Sequence, residues 1–172
     1  MILRQEAVEL ATPTGPMRTY LYRPVAEGQF PAVVLFSEIY QRTGPIHRTA
    51  ALLAGHGYLV AVPEVYHDLL PAGTELSYDP EGTAIGNRCK TDRPVAAFDA
   101  DALAAVTFLQ AHEASTGQVG AMGMCLGGHL AFRAALLPQV RATACFYATD
   151  IHKGSLGSGG DDSMARMGDI HG

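Results

Sequence analysis

Gln118-Val119-Gly120-Ala121-Met122-Gly123-Met124-Cys125-Leu126-Gly127-Gly128-His129-Leu130-Ala131-Phe132 is the stretch on which the reading of this chain turns. Gln118 to Met122 reads as a short strand. Gly127 to Leu137 reads as a helix, ended by Pro138. Between them lies Gly123-Met124-Cys125-Leu126-Gly127, a G-x-C-x-G pattern in which Cys takes the place of a nucleophilic serine. A nucleophile carried on a tight strand-to-helix turn sits in a strained conformation, and its side chain projects beyond the sheet edge. The flanking chain then passes so close that the positions two before and two after must be small. Gly123 and Gly127 meet that need, and Gly128 relieves crowding further. Cys125 also precedes a helix N-terminus, where the backbone dipole favours a thiolate. The string alone carries little, because Gly is frequent here and Cys is often only a small buried apolar residue. The strand before and the helix after give it weight. They place Cys125 at a strand–turn–helix tip with positive φ.

Upstream, the same alternation recurs. Ala32 to Phe36 is a continuous Val-rich apolar run, as expected of a strand buried on both faces. Thr43-Gly44-Pro45 opens a helix with Pro in its first turn, and Ile46, Ala50, Leu53 and Ala54 follow at helical spacing. Gly55 and Gly57 stop it, and Tyr58 to Val62 is another strand. Val95, Phe98, Ala102, Val106 and Leu109 mark one face of a further helix. Downstream, Ala142 to Tyr147 is a strand. Strands alternating with helices imply right-handed βαβ units and a mostly parallel sheet. Two short strands, Glu6 to Leu10 and Arg18 to Arg23, precede this pattern and add an antiparallel edge. The segment from Glu64 to Arg93 shows no sustained period and reads as a long loop, a length often tied to function.

The 172 residues match one domain, and hydrophobic residues at 48% with charged residues at 17% exclude a disordered chain. The net charge of −5 argues against nucleic acid as a partner. The apolar runs are far shorter than the roughly 20 residues of a membrane-spanning helix. Met1 to Leu10 carries no signal-peptide pattern. Cys89, Cys125 and Cys145 are odd in number and lack metal-ligand spacing, so a reducing, cytoplasmic setting is expected rather than a disulfide framework. No metal site is expected, and His47, His56, His67 and His112 form no ligand pattern.

With these residues in view, the chain resembles the dienelactone hydrolase family of the α/β-hydrolase superfamily. The resemblance rests on Val33 to Tyr40, Gly57 to Glu64 and Gly120 to Phe132, and above all on the Cys nucleophile. It implies an α/β-hydrolase fold over residues 1–172, a mostly parallel sheet with helices on both faces and with the C-terminal strands missing. It carries over Cys125 as nucleophile and Glu38 as the carboxylate that contacts the cysteine and helps deprotonate it. Glu38 directly follows a buried strand, at the carboxyl edge where open α/β sheets place ligands. The backbone N–H groups of Ile39 and Leu126 become the oxyanion hole.

The resemblance also asks for an Asp after a later strand and a His in a loop beyond the last strand, and both are expected beyond residue 172. Asp150, His152, Asp169 and His171 are the late candidates within the chain. Terminal residues are rarely preorganised, which weighs against them. His129, one turn after Cys125, fits a structural histidine better than a pocket wall. Arg88 and Lys90 are stand-ins for the family's substrate-carboxylate site. Tyr66 and His67 are candidate pocket walls. Cys145, inside an apolar strand, is expected to be inert, and Cys89 to lie in a loop.

Two functions follow. One is a cysteine-nucleophile hydrolase of a lactone, ester or thioester, acting on a small molecule without metal or organic cofactor. The alternative is a non-catalytic domain that binds a ligand or partner through a degenerate pocket. Oligomeric state is not legible in the sequence.

Overall fold

The alternating residues at the N-terminal end pair as a hairpin in the computed structural model, which describes residues 2–170. Strands β1 (Leu3–Thr12) and β2 (Gly15–Pro24) run antiparallel from Leu3↔Pro24 to Thr12↔Gly15. They are longer than the apolar alternation predicts, because the ladder continues over polar residues that face solvent. Gly15 takes φ +123 and closes the turn, a conformation glycine adopts at no steric cost.

Four further strands complete the sheet: β3 (Phe30–Phe36), β4 (Leu59–Pro63), β5 (Ser115–Met124) and β6 (Val140–Phe146). The spatial order is β1-β2-β4-β3-β5-β6. β4, β3, β5 and β6 are mutually parallel, and the hairpin joins them antiparallel through β2. The expected antiparallel edge is therefore present. β3 neighbours β4 on one side and β5 on the other, so the strand order reverses there. At such a reversal, α/β sheets open a crevice beyond the strands' carboxyl ends.

Helices cover both faces. From α1 (Gly44–Gly55), Ile46, Ala50 and Ala54 pack with Tyr22, Leu35, Val60 and Val62. α3 (Val95–Ala111) and α4 (Leu126–Ala134) bring Phe98, Val106, Leu109 and Leu130 against Val34, Phe36 and Ala61 on the other face. Val34 and Phe36 face one layer and Leu35 the other, so a one-residue slip of β3 would exchange the two sets. Burial of each such side chain is worth about 1.5–3 kcal/mol, enough to hold the register.

The structure corrects the reading of residues 64–93 as a loop. Only its first half is irregular; α2 (Pro80–Asp92) follows. Asp79 caps it, its Oδ1 accepting from the Gly82 N–H at 2.7 Å, and Pro80 occupies the first turn. The buried residues of this helix are Gly82, Gly86, Cys89 and Lys90. A packing face built on glycine leaves no apolar period to read. The Asp79-Pro80 pair was the available signal. Helix α4 also ends earlier than expected, at Ala134, with turns carrying the chain to β6. Beyond Asp150 the described chain forms only the short 3-10 turns Ile151–Lys153 and Met167–Asp169.

Candidate active site

Cys125 has φ 56 and ψ −119 and is the N-cap residue of α4. A non-glycine residue in this region costs on the order of 1–3 kcal/mol and persists only where its surroundings over-determine it. Here they do. The Cys125 N–H donates to the Phe146 carbonyl at 3.1 Å, and its carbonyl accepts from the Thr149 N–H at 3.2 Å. A Cβ on Gly123 would stand 1.9 Å from the Gly127 carbonyl oxygen, and one on Gly128 would meet Ala148 at 2.9 Å. The strand–turn–helix tip with positive φ is as expected, and so is the need for small neighbours.

Glu38 leaves the end of β3, whose Phe36 is in register with Gly123 of β5. Its two carboxylate oxygens are held separately. Oε2 accepts from the Tyr78 hydroxyl at 3.0 Å, and Oε1 from the Tyr147 hydroxyl at 3.4 Å. Tyr78 also pairs with Thr43 Oγ1 at 2.7 Å, and its ring lies 4.4 Å from that of Tyr40. Among the described residues, no hydrogen bond joins Glu38 to Cys125. The two phenols occupy the carboxylate instead. Neither tyrosine was singled out from the sequence, and nothing local marks them, because each reaches Glu38 from a segment distant in the chain.

The N–H groups of Ile39 and Leu126 donate to no backbone or side-chain acceptor among the described residues. Leu126 opens α4, where the first N–H groups have no intrahelical partner. Both side chains are buried.

Arg88 and Lys90 are not brought together. They lie two residues apart on α2 and so point to different sides. Lys90 is buried, and its Nζ pairs with Asp150 at 2.5 Å. Asp150 also meets Lys153 at 2.9 Å. The bonds from Lys90 and then Lys153 hold the Asp150 carboxyl at about 2. Asp150 is thus committed to an ion pair rather than poised as a proton carrier. Arg88 is exposed.

The histidines are accounted for elsewhere. His129 is fully buried, with Nε2 at 2.7 Å from Ser163 Oγ and 3.4 Å from Asp161. Burial pushes its imidazole below the ordinary value, against the opposing pull of Asp161. The structural reading of His129 fits this arrangement. His67 is no pocket wall: its Nε2 contacts Asp101 and Arg93 in a buried network. Tyr66 is fully buried and donates to the Gly86 carbonyl at 3.2 Å. Burial, then the nearby Cys89 and Cys125, raise its phenol well above 10. His152 is exposed on a 3-10 turn, and Asp169 pairs with Arg166. His171 lies outside the described residues. No cluster of three or more metal-ligating side chains occurs among those described.

The loop placement of Cys89 needs correction as well. Cys145 is exposed, because β6 is the last strand of the sheet, and Cys89 is buried on α2 rather than held in a loop.

A sequence model of the dienelactone hydrolase family matches residues 17–157. The chain belongs to the dienelactone hydrolase family. A carboxymethylenebutenolidase homologue of Saccharomyces cerevisiae is 41% identical over 175 residues, which cover 97% of this chain and 63% of that protein. The carboxymethylenebutenolidase of Pseudomonas putida is 30% identical over 133 residues, covering 74% of this chain and 54% of its own length. The chain thus spans between about half and under two-thirds of these dienelactone hydrolase relatives. A solved structure of a dienelactone hydrolase-like promiscuous phosphotriesterase from metagenomic libraries superposes with a TM-score of 0.69 at 19% identity. It covers 86% of this chain and 60% of its own, and it shows the shared α/β-hydrolase fold. No helix among the described residues is long and apolar enough to cross a membrane.

Proposed function

We propose that this chain carries the nucleophile of a lactone, ester or thioester hydrolase that attacks its small-molecule substrate through Cys125. The observation that carries this reading is the Cys125 backbone at φ 56, strained and locked at the carboxyl edge of the sheet. In the reaction, the Cys125 proton passes to Glu38 and the thiolate adds to the substrate carbonyl. The N–H groups of Ile39 and Leu126 receive the developing oxyanion. One such donor is worth about 2.7–4 kcal/mol to a tetrahedral intermediate. Collapse expels the leaving alkoxide or thiolate, which takes the proton back from Glu38, and leaves a thioester on Cys125; water then adds across it, releasing the carboxylic acid and restoring the thiol. These steps use no metal or organic cofactor. Free thiols at positions 89, 125 and 145 suit a reducing compartment such as the cytosol.

The test is hydrolysis of an activated ester such as p-nitrophenyl acetate. Cys125→Ala is expected to abolish product formation, with Cys89→Ala and Cys145→Ala near wild type. Wild-type release by Cys125→Ala overturns the assignment.

A further inference from the structure

We infer that Tyr78 and Tyr147 are positioning residues for Glu38, Tyr78 as its fixed anchor and Tyr147 as the donor that lets go when Glu38 takes the Cys125 proton. This rests on the reading of Cys125 as nucleophile and Glu38 as its base.

The two phenols hold the same carboxylate with different strength. The Tyr78 bond is 3.0 Å, within the ordinary range for hydroxyl donors. That hydroxyl is fixed a second time by Thr43 Oγ1 at 2.7 Å, and its ring rests on Tyr40. The Tyr147 bond, at 3.4 Å, is long for O–H···O. The Tyr147 side chain has no second hydrogen bond among the described residues, and the residue is 67% exposed.

Backbone strain points the same way. Tyr147 has φ 36, the left-handed region, immediately after β6. Two residues later the Thr149 N–H binds the Cys125 carbonyl. The segment that presents the Tyr147 hydroxyl is therefore tied to the elbow itself. Partial burial first, and the Glu38 carboxylate next, raise the Tyr147 phenol above 10. Burial also raises Tyr78, with Glu38 adding and Thr43 opposing. Both phenols are protonated at neutral pH and so can serve as donors to the carboxylate. Tyr40 beside Tyr78, and Tyr66 near Cys89 and Cys125, are further titratable groups at this corner.

The balance of the step assigns the roles. The S–H bond of Cys125 breaks and an O–H bond forms on Glu38, turning carboxylate into acid and thiol into thiolate. A hydrogen bond donated to the oxygen that takes the proton stabilises the charged carboxylate and so lowers that oxygen's basicity. Oε1 becomes free when the weaker Tyr147 bond opens, while the Tyr78 bond to Oε2 keeps the carboxyl oriented.

The experiment measures the acylation burst of the full chain with p-nitrophenyl acetate at one fixed pH near neutrality. Tyr147→Phe is expected to raise the burst rate constant about 3- to 10-fold, the effect of one competing hydrogen bond. Tyr78→Phe is expected to lower it by at least about 10-fold, within the range for a mispositioned general base. In a Glu38→Gln background, neither substitution should change the rate. Thermal unfolding of each variant is expected to match wild type, which separates a change in rate from a change in fold. An unchanged burst in Tyr147→Phe overturns the inference, as does an equal effect in the Glu38→Gln background or a shift of both variants in the same direction. Cys125→Ala separates this from the reading beneath it: a burst that survives Cys125→Ala removes the nucleophile, whatever the tyrosines do.

Discussion

Gly127 lies so close to the end of β3 that a Cβ placed on it would stand 2.2 Å from the Phe36 carbonyl oxygen and 2.5 Å from that of Ser37. The first turn of α4 thus rests directly on the backbone of the strand that delivers Glu38 and Ile39. Gly127→Ala must push these elements apart, so it should destabilise the protein by about 3 kcal/mol or more and displace the Ile39 N–H from Leu126. Gly55→Ala serves as the comparison: a Cβ there meets nothing within 4 Å, and its φ lies outside the left-handed region. That variant should be neutral, or stabilised by up to about 1 kcal/mol. Chemical denaturation of the two proteins checks the contrast.

The cysteines should separate by exposure. Cys89 is buried, and burial raises its thiol above 9. Cys145 is exposed on β6, although its thiol is also raised by partial burial. Iodoacetamide with peptide mapping should label Cys125 fastest, Cys145 more slowly, and Cys89 only on unfolding. Labelling of Cys89 in the native protein at the Cys145 rate would contradict the packing of α2.

Arg93 organises a buried network. Its guanidinium donates to Asp68 and Asp101, each at 2.7 Å, to Thr14 at 3.3 Å, and contacts His67 at 3.1 Å. It ties the hairpin turn and the loop after β4 to α3. Arg93→Ala leaves the fully buried Asp101 with His67 Nε2, at 3.2 Å, in place of a guanidinium partner, and should cost about 3 kcal/mol. Asp68→Ala should cost less, because that carboxylate is 17% exposed and water can reach the guanidinium left behind. Urea unfolding midpoints give the order directly.

Asp150 sets an acid limit. Its folded carboxyl, at about 2, lies below the ordinary 3.8, so the folded state binds this proton less readily than the unfolded chain. The stabilisation is complete above about pH 5 and is lost as pH falls through 3.8 toward 2. Lys90→Met should remove on the order of 1–2 kcal/mol at pH 7 and should flatten the pH dependence of stability between pH 5 and 2. An unfolding series across that range, wild type against variant, reads both effects.

Among the described residues, no histidine side chain hydrogen-bonds the Cys125 thiol, and the imidazoles of His67 and His129 are engaged elsewhere. Hydrolysis of the thioester needs water deprotonated on the acyl face. Without a positioned general base that step is slower by about 10²–10⁴-fold. The purified 172-residue chain should therefore give a burst of at most one product per molecule with an activated ester, then stall. Sustained multiple turnover would return attention to the exposed His152.

The strand-and-helix order, the antiparallel edge and the Cys125 tip were legible in the sequence because each rests on local constraints. Apolar runs mark buried strands, and glycines spaced two either side of a cysteine mark a turn with no room for side chains. The glycine-faced helix α2 escaped the same reading, since its packing face carries no apolar side chains to repeat. The partners of Glu38, Lys90 and Arg93 were decided by tertiary structure alone. Tyr78 and Tyr147 reach one carboxylate from positions 69 residues apart in the chain, and the strand order β3-β5-β6 sets the Tyr147 end of that pairing. Lys90 meets Asp150 across 60 residues, and Arg93 meets Thr14 across 79. Such pairings depend on which surfaces the folded sheet and helices bring into contact, and no periodicity or spacing along the chain encodes them.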